Sequence, residues 1–266
     1  MITDGAENGR KLNRKYINDH IGVIKRMFRW AVSEQLVDVA VHQALEAVEN
    51  IRKGRGSRVD ESRKIKPAPD EHVDAVLPYV SPQIAAMIQL QRITGMRPDE
   101  VTIMRPRDID RSGEVWLYIP ESHKMDYKDI EKVAPLGPKA QEILSEWLDR
   151  EADCYLFSPR EVVEAKLAER RRGGVKRKRT RAKKKTPTRQ PREHYDDESY
   201  CQAVERACKK AGVPKWTPGQ LRHNAATDIR RRYGIEAARL VLGHMSTTTT
   251  EIYAEKDLAE AKRIMQ

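Results

Sequence analysis

Apolar residues recur at helical spacing near the start of the chain. Over 12–36 they form one stripe, which predicts an amphipathic helix: Leu12, Tyr16, Ile17, Ile21, Ile24, Phe28, Ala31 and Val32. The same spacing predicts a second helix at 41–51. Each helix needs further apolar partners, so the two together predict part of a larger helical module. We assign residues 1–58 to this partial module and the polar residues 59–66 to a linker.

The remaining residues, 67–266, predict a larger and mostly helical body. Helices are expected at 70–80, 82–94, 137–148 and 199–211, and Ser81-Pro82 supplies an N-cap and a first helical residue. Gly95 ends one helix and Pro98 opens the next. Two short stretches, "VWLYI" at 115–119 and "KVAPL" at 132–136, predict paired strands. The expected fold class is mainly α with a small antiparallel β-sheet (α+β).

The net positive charge of the chain is concentrated in one segment. The formal net charge is +11, and the segment 170–192 alone contains 13 Lys and Arg and no acid, so the rest of the chain is close to neutral. Such a run repels itself, and we expect a basic, disordered insert at about 161–198. A polyanion is its natural partner, and nucleic acid is the leading candidate. A solvated segment without a specific target is the alternative.

Several classes of protein are disfavoured. No apolar run approaches the length of a membrane span, and the first residues lack the apolar core of a secretory signal. The expected location is therefore cytoplasmic, with no membrane partner. The cysteines, Cys154, Cys201 and Cys208, form neither a disulfide framework nor a C-x-x-C pair, so no metal site is expected.

Two arginines stand at predicted helix starts. Arg97 precedes Pro98, and Arg222 follows Pro218 within about one turn. An Arg at the positive end of a helix is unfavourable unless an anion lies near it, and guanidinium groups bind phosphate oxygens in pairs. Lys124 follows the first predicted strand, where a Lys near a phosphate could protonate a leaving alkoxide. Solvated surface side chains are the alternative for all three.

Five motifs in order resemble a known family. "TGMRPDEV", "HKM", "QLRH", "LGH" and "TTTTEIYAE" are similar to the active-site motifs of the tyrosine recombinases, the phage-integrase type, and the resemblance runs from about residue 12 to the end. It implies the catalytic-core fold of that family, preceded here by a partial helical core-binding domain. It also implies a set of active-site residues: Arg97, Lys124, Arg222, His244 and the nucleophile Tyr253, supported by Glu100 and His223.

The resemblance implies cleavage and rejoining of DNA strands through a 3′-phosphotyrosyl intermediate. Neither metal, ATP nor another cofactor is required, because the bond energy stays in the phosphotyrosine and the arginines stabilise the charge. The implied partner is double-stranded DNA, bound by a homotetramer on paired sites; a monomer is the alternative for the isolated chain. A bacterial, phage or mobile-element origin follows. Expected DNA contacts are Lys25, Arg26, Arg29, Arg177, Lys178, Arg179, Lys183, Lys184 and Lys185.

Two departures keep other functions open. Gly219 stands where the family has the His of its His-x-x-Arg box, and only two helices of the core-binding domain are recognisable. Both fit a catalytically weak or inactive DNA-binding remnant of an integrase. A type IB topoisomerase-like DNA relaxase would use the same chemistry and is a further alternative.

Overall fold

A computed structural model describes residues 12–54, 59–61, 65–121, 132–172 and 191–243. The chain divides into two compact units, Met1–Ile65 and Lys66–Gln266. The described residues form nine α-helices, which are α1 Arg14–Ser33, α2 Val39–Glu46, α3 Asp70–Val76, α4 Pro82–Thr94, α5 Pro98–Thr102, α6 Pro138–Ser145, α7 Pro159–Arg172, α8 Asp197–Ala211 and α9 Pro218–Leu242. They also form three strands, which are β1 Ile109–Asp110, β2 Trp116–Tyr118 and β3 Ala134–Leu136. Two 3-10 turns lie at Leu77–Tyr79 and Pro106–Asp108.

Polar contacts hold the first unit together. The Asn18 side chain binds both backbone groups of Ile51, accepting at 2.9 Å and donating at 3.0 Å. This pairing explains why α2 ends before 51, earlier than the sequence predicts, because the chain beyond it turns back to α1. Ile17 is the one buried apolar residue among the described part of this unit, and Trp30 and Met27 stay more than half exposed. The unit therefore has little core of its own.

The sheet of the second unit has the order β1-β2-β3, and both pairs are antiparallel. Trp116 pairs with Leu136 and Tyr118 with Ala134, so the predicted pairing of "VWLYI" with "KVAPL" is confirmed. The sequence analysis missed β1, whose two residues are too few to show alternation. The predicted fold class, mainly α with a small antiparallel sheet, is confirmed.

The core of the second unit lies between its helices and this sheet. Helix α4 packs against α6 and α9, while α8 packs against α3 and α5. Ser81 and Pro82 start α4 as predicted, and Gly95 ends it in the left-handed conformation at φ 68°. The largest side chains that are almost fully buried include Trp216, Tyr118, Tyr200 and Phe157. These contacts fix the ends of α4 and α9, which carry the candidate site.

Helix α9 is tied to the start of its unit. The Asn224 side chain binds both backbone groups of Ala68, at 2.8 and 2.6 Å, and Gln220 Nε2 donates to the Lys66 carbonyl at 2.9 Å. Gly234 has φ 85° and ψ 174°, so α9 is kinked there. The backbone of Gly234 is not helical, so α9 consists of two helical segments that meet at this glycine.

The expected disorder of 161–198 is wrong at both ends of that range. Residues 161–172 belong to α7, and α8 begins at Asp197. Helix α7 has Glu161 in its first turn and three arginines in its last turn, an order that complements the helix dipole. Residues 173–190 lie outside the described part of the chain. Within the described part, no helix is both long and apolar enough to cross a membrane.

Candidate active site

Arg97 and Glu100 are joined at the start of α5. The Glu100 carboxylate accepts from the Arg97 backbone N–H at 2.9 Å and from Arg97 Nη1 at 2.9 Å. This is the reach-back contact of a residue at the third helical position, which satisfies an otherwise unpaired N–H. The Glu100 side chain is 1% exposed and that of Arg97 is 22% exposed. Glu100 therefore orients an arginine whose guanidinium still reaches solvent.

Arg222 lies in the second turn of α9 and is buried. Its Nη1 donates to the Gly95 carbonyl and its Nη2 to the Leu242 carbonyl, both at 2.7 Å. Gly95 ends α4 and Leu242 ends α9, so one guanidinium binds two helix C-termini. Such carbonyls lack partners within their helices, and the negative end of the helix dipole favours a cation.

Gly95 permits the close approach of these two helix ends. Its φ of 68° favours glycine, and a Cβ at this position would lie 2.4 Å from Leu242 Cδ2 and 3.1 Å from Ala225 Cβ. Any side chain here would push α4 away from α9. The glycine of the "TGMR" motif thus serves to bring the Arg97 and Arg222 segments together.

Lys132 is a site residue that the sequence analysis missed. It is buried, its Nζ donates to the Leu242 carbonyl at 2.8 Å, and it lies 3.8 Å from Glu100 Oε1. A signal was present, because Lys132, Ala134 and Leu136 occupy the inward positions of the "KVAPL" alternation. A Lys on the inward face of a strand indicates a buried charge that needs a partner.

The electrostatics follow from these contacts. Burial works to raise the pKa of the Glu100 carboxyl, but Lys132, the Arg97 N–H and Arg222 outweigh it and leave that pKa below its ordinary value. Burial lowers the pKa of Lys132 to about 8, with Glu100 opposing the change. Glu100 therefore stays ionised at neutral pH and holds the cations together.

The structure brings together three of the predicted site residues, Arg97, Glu100 and Arg222, and it buries His223, which follows Arg222 in α9. Nine further predicted residues lie outside the described part of the chain, namely Lys124, His244, Tyr253, Arg177, Lys178, Arg179, Lys183, Lys184 and Lys185. The described chain stops at Gly243, immediately before His244, and Gly243 follows the Leu242 carbonyl that Arg222 and Lys132 both contact.

Gly219 lies in the first turn of α9, three residues before Arg222. A Cβ at Gly219 would meet no heavy atom within 4 Å, and its φ is not in the left-handed region. The position therefore has neither a steric nor a conformational need for glycine. The Cβ of a larger side chain, such as the His of the family motif, would fit there without a steric clash.

Three of the predicted DNA contacts lie on α1 and differ in their exposure and partners. Lys25 is partly buried and donates to the Val48 carbonyl at 2.8 Å and to the Glu46 carbonyl at 3.3 Å. Arg29 is largely exposed and lies 3.4 Å from Glu46, and Arg26 is exposed. Lys25 thus secures the end of α2, and the contact of these three with DNA stays a prediction.

Chemically, the site offers guanidinium and ammonium donors fixed by helix ends and one carboxylate. Such donors suit an anion with several oxygens, and their fixed placement suits the stabilisation of developing charge. Among the described residues, no group of three or more His, Cys, Asp or Glu is arranged to hold a metal ion.

The chain is similar in sequence to curated tyrosine recombinases. The tyrosine recombinase XerC of Bifidobacterium longum subsp. infantis is 27% identical over 251 residues, which cover 86% of this chain and 64% of that protein. XerC of Corynebacterium glutamicum is 30% identical over 181 residues, covering 66% of this chain and 49% of that protein. The chain thus spans about half to two thirds of the length of these curated relatives.

Structural comparison supports the same fold. A lambda integrase dimer bound to a COC′ core site superposes with a TM-score of 0.62 and 14% identity, over 91% of this chain and 74% of that one. The catalytic-core fold implied by the motifs is therefore confirmed. Residues 80–260 match the sequence model of the phage integrase family, and on that match the chain belongs to the phage integrase family.

Proposed function

We propose that this protein is a site-specific DNA recombinase that cleaves and rejoins strands through a 3′-phosphotyrosyl intermediate. One observation carries the proposal. Arg97 and Arg222, from motifs far apart in the sequence, are gathered around Glu100 and the end of α9. The chain that leaves this helix end carries the last two family motifs, with His244 and Tyr253. Membership of the phage integrase family supports the same assignment.

In this mechanism, Tyr253 Oη gives its proton to water and forms a bond to the scissile phosphorus. The bond from phosphorus to the 5′ oxygen breaks, and Lys124 supplies the proton that this oxygen takes up. Arg97, Arg222 and His244 donate to the non-bridging oxygens, whose charge grows in the transition state. Attack by a 5′-hydroxyl of the recombining strand then reverses these steps and releases Tyr253.

The two arginines have different parts in this scheme. Arg97 is held by one buried carboxylate and keeps a partly exposed side chain, so it can contact a phosphate directly. Arg222 is buried and fixed by two carbonyls, which holds its guanidinium in one orientation. Because both are ordered before DNA arrives, little free energy is spent on reorganisation during the reaction.

The partners follow from this chemistry. The substrate is double-stranded DNA in the cytoplasm, bound by four protomers on paired sites. We assign residues 1–58 to part of a helical core-binding domain, residues 59–66 to its linker and residues 67–266 to the catalytic domain. The weak core of α1 and α2, with exposed Trp30 and Met27, supports the view that the first unit is part of a larger module.

Covalent capture tests the proposal. Wild type is incubated with a pool of nicked duplexes whose sequence around the nick is randomised, and complexes that survive denaturation are recovered and sequenced. The nick lets the short cleaved strand diffuse away, so the phosphotyrosyl adduct accumulates. We expect one duplex sequence to be enriched with wild type, and no adduct with Tyr253→Phe.

Other outcomes decide against the proposal. No adduct from wild type, together with retained binding of duplex DNA, would identify a non-cleaving DNA-binding protein. Adducts on duplexes of arbitrary sequence, with relaxation of supercoiled plasmid, would identify a relaxase of the topoisomerase type.

A further inference from the structure

Lys132 is a buried cation that the mechanism above does not use. Its side chain is 8% exposed, and it occupies the inward face of the strand that continues into β3. Lysine is seldom buried, since the ammonium loses its hydration and must be paired in return. Packing alone does not explain a buried lysine at this position.

The contacts of Lys132 explain why it is buried. Lys132 Nζ donates to the Leu242 carbonyl at 2.8 Å, and Arg222 Nη2 donates to the same oxygen at 2.7 Å. Leu242 is the last residue of α9, so this carbonyl has no partner within its own helix. On the other side, Nζ lies 3.8 Å from the carboxylate of Glu100 that orients Arg97. Lys132 therefore bridges the arginine site and the end of α9.

The backbone passes close above this ammonium as it leaves the helix. Gly243 has φ 64°, and a Cβ there would lie 2.8 Å from Lys132 Nζ and 3.2 Å from its Cδ. Tyr253 lies ten residues farther along the chain. Lys132 thus meets the backbone at Leu242 and Gly243, the last described residues before the segment that contains Tyr253.

We propose that Lys132 is a positioning residue, which fixes the point where the segment carrying Tyr253 leaves α9 relative to the arginines that hold the phosphate. This role rests on the proposed function, in which Tyr253 is the nucleophile. It differs from that of Lys124, which supplies a proton. A shift of about 1 Å at a reacting atom can cost about 100-fold in rate, so a fixed departure point has a measurable effect.

The charge of Lys132 makes the contact sensitive to pH. Its pKa is lowered to about 8, chiefly by burial and also by Arg222 from α9 and by Arg97, while Glu100 and Asp99 from α5 oppose the change. Above this pH the amine is neutral and a weaker donor to the Leu242 carbonyl. We therefore expect the rate of cleavage by wild type to decline as the pH rises through about 8.

The central experiment compares Lys132→Met with Lys139→Met. Met keeps the length of the side chain without its donor, and Lys139 is an exposed residue of α6 away from the site. Adduct formation is timed under single-turnover conditions at saturating concentrations of the duplex enriched in the capture experiment. We expect Lys132→Met to be about 10- to 100-fold slower with nearly unchanged DNA affinity, and Lys139→Met to match wild type.

A second substrate separates positioning from proton donation. A duplex with sulfur in place of the scissile 5′ oxygen releases a thiolate, which needs no proton donor. On this substrate Lys124→Ala should regain the rate of wild type, whereas Lys132→Met should stay slow. Recovery of Lys132→Met would show that Lys132 is the proton donor and overturn the proposal.

Lys132→Arg provides the test if the Met variant does not fold. Arginine keeps its charge above pH 8, so the decline in the rate should move to higher pH, and an unchanged profile would contradict the proposal. If wild type forms no adduct, the proposed function fails. If wild type forms it and Lys132→Met is equally fast, the function stands and the role of Lys132 fails.

Discussion

The arginines of the candidate site and those of α1 are held in opposite ways. Arg222 is buried and bound to two helix-end carbonyls, and Arg97 is bound to a buried carboxylate. Arg26 and Arg29 project from the surface of α1, where Arg29 meets the partly exposed Glu46. Exposed ion pairs contribute about 0 to 1 kcal/mol, whereas removing one partner of a buried pair costs several kcal/mol.

This difference separates two uses of positive charge. A cation fixed before the substrate arrives can stabilise a transition state, and its loss lowers the rate. A mobile surface cation attracts phosphates by long-range charge, and its loss lowers affinity in a way that salt can mimic. The substitutions below, from the largest expected effect to the smallest, test whether the two regions divide the work in this way.

Arg222→Lys should have the largest effect. A lysine keeps the charge but cannot bind the Gly95 and Leu242 carbonyls with two separate nitrogens and also face a phosphate. We expect adduct formation to slow by about 100- to 1000-fold. Arg206→Lys, on the exposed side of α8, is the matched control. A rate for Arg222→Lys within threefold of wild type would remove Arg222 from the mechanism.

Gly95→Ala should be the most destabilising single change. The left-handed φ and the collision with Leu242 together predict a loss of about 2 to 4 kcal/mol in the free energy of unfolding, measured in urea. Gly212→Ala is the control, because Gly212 has the same φ of 68° with no atom within 4 Å of its Cβ position. It should lose only about 1 kcal/mol. Equal losses would mean that the helix ends are not closely packed.

The elements that the sequence predicted correctly are those whose ends are marked by neighbouring residues. Helix α4 was predicted with its observed bounds, because Ser81, Pro82 and Gly95 mark its ends. Arg97 and Arg222 were found through helix starts and motif order. Helix α7 was missed because its basic end resembles the disordered run that follows, although its acidic and apolar residues favour a helix.

Lys132 shows what the sequence did not reveal. Its strand was predicted, but its role depends on Leu242 and Glu100, which are distant in sequence and meet it only in the folded chain. The alternation of "KVAPL" marked the position as inward. A buried lysine needs a polar or charged partner. Here that partner is identified only by the tertiary structure, and the sequence alone does not reveal it.

Gly219→His should speed the reaction. The position has room for a side chain, and a His at the start of α9 would supply the proton acceptor that the family motif places there. We expect adduct formation at pH 7 to rise about tenfold, as general base catalysis allows. Gly219→Ala should leave the rate unchanged and stabilise α9 by about 0.5 to 1 kcal/mol. A slower Gly219→His would indicate that this chain already has another proton acceptor.

The double variant Arg26→Gln and Arg29→Gln should have the smallest effect. We expect its free energy of unfolding to stay within about 0.5 kcal/mol of wild type, since both side chains are exposed. DNA affinity should fall, and the slope of log affinity against log salt concentration should decrease by about 1 to 2. The rate at saturating DNA should not change. A large loss of rate would mean that α1 also positions the DNA for cleavage.

Locating the covalent bond tests the central claim most directly. The adduct formed by wild type on its enriched nicked duplex is digested with nuclease and protease, and the modified peptide is identified by mass spectrometry. The account predicts that the 3′-phosphate of a nucleotide is bonded to Tyr253. It also predicts that Arg222→Lys forms the same bond far more slowly. A modification on another residue, or none on a duplex that the protein binds tightly, would contradict it.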